Sequence, residues 1–235
     1  MRFDDPAYVR EQYATEDGLA ARASVYGELG NPPQDVVVEE LKRLRPRRVL
    51  EVGCGRGELS ERIANDVRCE VVAVDLSPRM VELTRERGVD AAVGDVQALP
   101  FADGSFDAAV AAWMLYHVPD LDRGLGELAR VLQPGATLVA VTNGENDFEE
   151  LWTLVGRDLS YRRSSFRTEN GEEHLDRHFA AVRRHDFRVP ITFDQAALRT
   201  YVGSSTLGLA HLDGVPELDE PLVATKVVTV FVATK

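Results

Sequence analysis

The chain has 235 residues, 44% of them hydrophobic, with 27 basic and 39 acidic residues and a formal net charge of −12. That length fits one large domain or a core domain with an insertion, and the negative field argues against nucleic acid and anionic membranes as partners. No apolar run approaches the roughly 20 residues of a membrane span, and Met1-Arg2-Phe3-Asp4-Asp5-Pro6 has neither the basic start nor the apolar stretch of a signal peptide, so a cytoplasmic monomer or homodimer is expected.

Residues 1–30 are polar with scattered aromatics (Phe3, Tyr8, Tyr13, Tyr26) and read as one or two short helices outside the main pattern. Asn31-Pro32-Pro33 starts a helix, with asparagine as cap and proline in the first turn. Strands are expected at Arg48–Val52, Glu70–Asp75, Val89–Val93, Phe106–Ala112 and Ala136–Thr142. Helices lie between them: Glu58 to Ala64, Ser77-Pro78 to about Arg87 with Gly88 closing it, and Leu121 to Leu132 closed by Gln133-Pro134-Gly135. The pattern then loosens. Helices are expected over about Asp147–Ser160, about Glu172–Val182 and Asp194–Val202 (capped by Asp194), with a strand-like Phe187–Phe193 and a strong β stretch over Lys226–Thr234. Apolar strands between amphipathic helices specify an α/β fold, a parallel sheet covered on both faces. Ligands of such sheets bind beyond the carboxyl ends of the strands, near the switch in strand order.

The most informative stretch is Val49-Leu50-Glu51-Val52-Gly53-Cys54-Gly55-Arg56-Gly57. A buried strand turns there into a helix through glycines at alternate positions, which tolerate positive φ and let a ligand approach without a Cβ in the way. Such a bend holds a nucleoside-bearing cofactor at the helix N-terminus. Asp75, about twenty residues on at the end of the second strand, is placed to accept the two hydroxyl protons of a ribose. The dinucleotide pattern G-x-G-x-x-G requires glycine at position 58, where this chain has Glu58, and Glu51 beside the bend would repel a pyrophosphate. A ligand with an ammonium group and no phosphate suits it better, which points to S-adenosylmethionine.

Six segments in order carry a family resemblance: residues 49–57, Val74-Asp75-Leu76-Ser77, Gly94-Asp95-Val96-Gln97-Ala98-Leu99-Pro100-Phe101, Phe106-Asp107-Ala108-Ala109-Val110, Tyr116-His117-Val118-Pro119-Asp120, and Ala129-Arg130-Val131-Leu132-Gln133-Pro134-Gly135-Ala136. Over about residues 48–143 the chain resembles class I S-adenosylmethionine-dependent methyltransferases, in the group that includes the ubiquinone/menaquinone-biosynthesis enzymes. The resemblance implies a Rossmann-like seven-stranded sheet, mostly parallel with an antiparallel final strand and helices on both faces. It implies one domain over 1–235: N-terminal helices covering the site (1–47), a cofactor-binding core (48–143), a substrate-side insertion (144–225) and the final strand (226–235). It further implies that Gly53, Gly55 and Gly57 line the methionine moiety, that Cys54 belongs to the same cofactor site, and that Glu51 lies near the ammonium. Asp75 would take the ribose hydroxyls, Leu76 and Met80 would lie against the adenine, Asp95 would accept from the adenine amino group with Val96 beside it, and Ala111 and Ala112 would pass close to the ligand.

Methyl transfer from a sulfonium mainly needs an aligned, desolvated nucleophile. His117 is the candidate general base for an acceptor that must lose a proton, its alternative being a cap of the following turn. Tyr8, Tyr13, Trp113 and Trp152 are candidate walls of the acceptor pocket, with core packing as the alternative for each. His174 and His178 share a helix face but lack a third ligand, so no metal is expected. The basic runs at Lys42–Arg48, Arg162-Arg163 and Arg183-Arg184 read as solvated faces. The expected activity is transfer of a methyl group to a small-molecule acceptor, with O-, N- and C-methylation all open. A nicotinamide-dependent oxidoreductase and a non-catalytic S-adenosylmethionine-binding protein are the alternatives.

Overall fold

The computed structural model describes residues 5, 9, 11–26, 32–159 and 166–235. Its strands are β1 (Arg48–Val52), β2 (Glu70–Asp75), β3 (Asp90–Val93), β4 (Phe106–Ala112), β5 (Leu132–Asn143), β6 (Ala181–Phe193) and β7 (Leu222–Thr234). They form one sheet in the order β3-β2-β1-β4-β5-β7-β6. The first five pair in parallel, and β7 runs antiparallel to both β5 and β6. The strand order reverses at β1, so the crevice between the ends of β1 and β4 is where a ligand site belongs. Among the described residues, no helix is long and apolar enough to cross a membrane.

Helices follow the strands: α1 (Asp17–Tyr26), α2 (Pro32–Leu44), α3 (Glu58–Val67), α4 (Pro78–Glu86), α5 (Leu121–Val131), α6 (Glu149–Leu154), α7 (Gly171–Leu175), α8 (Gln195–Gly203) and α9 (Thr206–Leu209). Several starts are written locally. Ser77, Asp120 and Asp194 each accept a hydrogen bond from a backbone N–H of the first turn, on Met80, Arg123 and Ala197, a device that stabilises a helix by about 1 kcal/mol.

The two faces of the sheet bury separate cores, as its alternation demands. Leu50, Val52, Val72 and Val74 pack with Leu125 and Leu128 of α5. Val49, Val71 and Ala73 pack on the other side with Val37 and Leu41 of α2 and Ile63 of α3. Glu51 shares the face of Val49, so its carboxyl is carried under α3. A third cluster, with Phe148, Trp152, Phe193 and Tyr201, belongs to the region after β5.

The later elements differ from expectation. The helix expected to Ser160 ends at Leu154, and the one expected to Val182 ends at Leu175. Ala181 and Val182 instead open a thirteen-residue β6 at the sheet edge, with Arg184, Asp186 and Arg188 on one face and Arg183 on the other. Charge on that edge hides the β pattern. β5 starts at Leu132 rather than Ala136: Leu132 pairs with Phe106, and the register then shifts across Gln133-Pro134-Gly135 before Thr137 meets Ala108. The basic pairs have partners: Arg183 binds Glu40, and Arg184 binds Asp186. Asn31, Tyr8, Tyr161, Arg162 and Arg163 lie outside the described residues.

Candidate functional site

The glycine bend is held to the neighbouring strand before any ligand is considered. The Gly53 and Cys54 amides donate to the Val74 carbonyl at 2.7 and 3.3 Å. Gly53, Gly55 and Gly57 have φ of 69°, 54° and 77°. A Cβ added at Gly53 would lie 2.5 Å from Met114 Cβ, and one at Gly57 would lie 2.8 Å from Thr84, so these two are required by close packing as well as by conformation. A Cβ on Gly55 would meet only Leu19 at 3.6 Å, on the open side of the bend.

A cavity of about 460 Å³ opens beyond the ends of β1, β2 and β4, a size typical of small-ligand sites. Asp75 reaches across to the bend: its carboxylate accepts the Gly55 amide at 2.9 Å and the Ser77 amide at 2.9 Å. Burial raises its pKa, opposed by those backbone bonds. Glu51 is 2% exposed and accepts a short hydrogen bond from Ser60 Oγ of α3. Burial pushes its carboxyl up to about 8, against the Ser60 bond and with a smaller push from the Asp75 charge. Burial likewise pushes the Cys54 thiol up, so it stands protonated beside Thr84 Oγ1 at 3.4 Å.

Of the residues expected at the site, Glu51, Gly53, Cys54, Gly55, Asp75, Leu76, Asp95, Val96 and Ala112 line this cavity, as do Tyr13, Trp113, His117 and Trp152. Three do not. Met80 is fully buried in the first turn of α4, leaving Leu76 as the wall there; Ala111 is fully buried within β4, one residue before the strand opens on the cavity at Ala112; and Gly57 turns its Cα toward Thr84. Asp95 also has a partner the sequence did not suggest. Its carboxylate accepts the Gln97 backbone amide at 2.9 Å and the Gln97 side-chain amide at 3.0 Å.

The segment before α2 roofs the cavity. Tyr13 Oη and His117 Nε2 lie 2.9 Å apart, with their rings edge to face. Ser77 Oγ donates to the Tyr13 carbonyl at 2.7 Å, Glu16 pairs with Arg79 of α4, and Gln12 exchanges hydrogen bonds with Ser204 and Thr206. The roof is therefore tied both to β2–α4 and to α8–α9.

At the far end of the cavity the expected Trp113 and Trp152 are joined by residues that sequence reasoning missed: Asn143, Asp147, Arg157, Arg167 and Lys226. Trp113 has φ of 54° at the end of β4, and its indole donates to Asn143 Oδ1 at 3.0 Å. Lys226 Nζ donates to the same oxygen and to Asp147, each at 3.1 Å. Arg157 lies over the Trp152 ring at 4.4 Å, and Arg167 over the Tyr116 ring at 4.9 Å. The one available signal was position: Asn143 ends a central strand on the ligand side.

A family profile described as a methyltransferase domain matches residues 50–140. The malonyl-[acyl-carrier protein] O-methyltransferase of Pseudescherichia vulneris is 31% identical over 205 residues, covering 83% of this chain and 78% of that protein. The ubiquinone/menaquinone biosynthesis C-methyltransferase UbiE of Methylobacterium nodulans is 34% identical over 134 residues, covering 53% of this chain and 51% of that protein. The chain thus spans about half the length of some of its curated relatives. The crystal structure of the YcgJ protein of Bacillus subtilis shares the fold, with a TM-score of 0.66 at 19% identity, over 86% of this chain and 97% of that one.

Proposed function

Because the chain belongs to the methyltransferase family, we propose that it transfers a methyl group from S-adenosylmethionine to a small organic acceptor. The observation that carries this reading is the junction of the open glycine bend with the half-buried Asp75 carboxylate and the buried Glu51 carboxyl at the mouth of one cavity. The donor set fits the group. Each Asp75 oxygen holds one backbone N–H and keeps a further lone pair for a ribose hydroxyl. Burial keeps the Glu51 carboxyl protonated, and an ammonium arriving beside the bend would favour its ionised form and pair with it. When bound, S-adenosylmethionine supplies a methyl group already activated by its sulfonium.

The chain's own residues would do the rest. Gly53 and Gly55 would leave backbone surface for the amino-acid end, and Leu76 and Val96 would flank the adenine. Asp95 would accept from the adenine amino group on Oδ2, which takes only one bond from Gln97. His117, fixed by Tyr13, would take a proton from an acceptor that must lose one. The roof from Tyr13 to α1 would exclude water from the reacting pair. We assign residues 1–235 to one such unit, with 144–225 forming the acceptor side. The net charge of −12 supports a small molecule over a nucleic acid as acceptor.

Calorimetry tests this. The wild type should bind S-adenosylhomocysteine and ignore NAD, and Asp75→Ala should weaken binding about 10- to 100-fold, the worth of hydrogen bonds to a charged group. NAD binding in place of S-adenosylhomocysteine, or equal affinities in the wild type and Asp75→Ala, would overturn the reading.

A further inference from the structure

The cavity does not stop where a cofactor on the glycine bend would end. Glu51, Asp75 and Asp95 lie near the ends of β1, β2 and β3, and the lining then continues past β4 to Val228 of β7 and to Phe187, Val189 and Ile191 of β6. The strand order sets the size of that extension. β5 and β7 stand between β4 and β6, so the edge strand is three strand spacings from β4, or about 14 Å. The floor of this arm follows one register row: Asn143 is paired with Val228, and Val228 with Phe187. Residues paired in this way share a face of the sheet.

The surface this arm offers is hydrocarbon. Phe187, Val189 and Ile191 are two residues apart along β6 and so turn the same way, and Ile191 packs in one cluster with Trp152 and Tyr201. The cations of that end are engaged within the protein: Lys226 with Asn143 and Asp147, Arg22 with the Ser204 carbonyl, Arg157 over Trp152 and Arg167 over Tyr116. Trp113 stands at the threshold, where β4 ends between β1 and β5. Its φ of 54° is unfavourable for a bulky side chain, and backbone strain of this kind gathers at ligand sites. The Trp113 amide donates to the Val141 carbonyl at 2.8 Å and the indole to Asn143, so the ring is held in place. Polar groups already paired inside the protein gain little from an incoming molecule, whereas the apolar walls gain by leaving water.

We propose that the methyl acceptor is an elongated molecule with an apolar tail. Its reacting end meets the methyl group beside Trp113 at the end of β4, and its tail runs over Val228 to Phe187 and Val189 of β6. This rests on the glycine bend holding S-adenosylmethionine, which takes the part of the cavity from β3 to β4 and leaves the part from β4 to β6 to the acceptor. The arm then selects by tail length and by hydrocarbon burial.

The full chain saturated with S-adenosylhomocysteine is titrated calorimetrically with phenol, 4-propylphenol, 4-hexylphenol and a phenol carrying a polyether tail of the same length as hexyl. Affinity should rise about twofold to fourfold per methylene, and 4-hexylphenol should bind about tenfold or more tightly than the polyether. Val189→Trp fills the arm and Val189→Asp puts a charge in it. Each should weaken 4-hexylphenol about tenfold or more while leaving S-adenosylhomocysteine affinity unchanged, which also reports that the variants are folded. Should a variant fail to fold, the wild-type comparison of 4-hexylphenol with the polyether still decides. No gain along the alkyl series, equal affinity for the alkyl and polyether tails, no binding by any probe, or wild-type length dependence in both folded variants would overturn the proposal. Failure of the wild type to bind S-adenosylhomocysteine at all would instead sink the methyltransferase reading. The length series is then read on the ligand-free protein.

Discussion

Glu51→Gln tests whether the site stores a proton. The carboxyl is 2% exposed, and burial raises its pKa from 4.5 to about 8. A carboxyl whose folded pKa is raised contributes its full stability below the unfolded value, and loses it as the pH climbs through the folded one. Between about pH 5.5 and 7.5 the unfolded glutamate has released its proton and the folded one keeps most of it. Each pH unit in that window costs about 1.4 kcal/mol, so the ligand-free wild type should lose roughly 2–3 kcal/mol relative to Glu51→Gln. Asp75 shifts in the same direction but is present in both proteins, so the difference between their curves reports Glu51. Urea unfolding at a series of pH values measures it. Parallel stability curves would refute the argument that burial, rather than an unseen partner, governs this carboxyl. A ligand ammonium beside Glu51 should also drive its proton off. Below about pH 8, S-adenosylhomocysteine binding should release protons, seen as a buffer-dependent heat that Glu51→Gln lacks.

Two further perturbations follow from the packing. Tyr13→Phe removes the Tyr13–His117 contact but leaves the Ser77 and Glu16 ties of the roof; it should weaken S-adenosylhomocysteine about threefold to tenfold, the worth of one hydrogen bond. Calorimetry giving wild-type affinity would show that the remaining ties suffice. Glu40, 1% exposed, is bound by Arg183 and Arg43. Because Arg183 is 55% exposed and can turn to water, Glu40→Gln should cost only about 1–2 kcal/mol at neutral pH. The Arg183 hydrogen bond lowers the Glu40 pKa, so this stability is present above the ordinary glutamate range and is lost as the pH falls through the lowered value. The two unfolding curves should converge in acid.

What the sequence disclosed was what short-range chemistry controls. Gly53, Gly55 and Asp75 are recognisable because a tight bend and the next strand end are fixed by a few neighbouring residues. Ser77, Asp120 and Asp194 cap helices that begin beside them. Some of what it hid depends on distant chain. Tyr13 and His117 are 104 residues apart. Arg157 and Arg167 sit in an irregular stretch with no periodicity to mark them. Met80 was misplaced by a single helical turn: the Ser77 cap orients α4 so that Leu76, not Met80, faces the cavity. Gln97 was overlooked because its contact with Asp95 is made by the turn it stands in.

β7 lies between β5 and β6, and among the described residues β6 has no other neighbour in the sheet. A ribosome-bound chain that stops short of residue 222 therefore has no ladder for β6 and lacks Lys226, the cation that joins Asn143 to Asp147. Pairing of the last ladder and delivery of Lys226 to the end of the cavity are therefore one event.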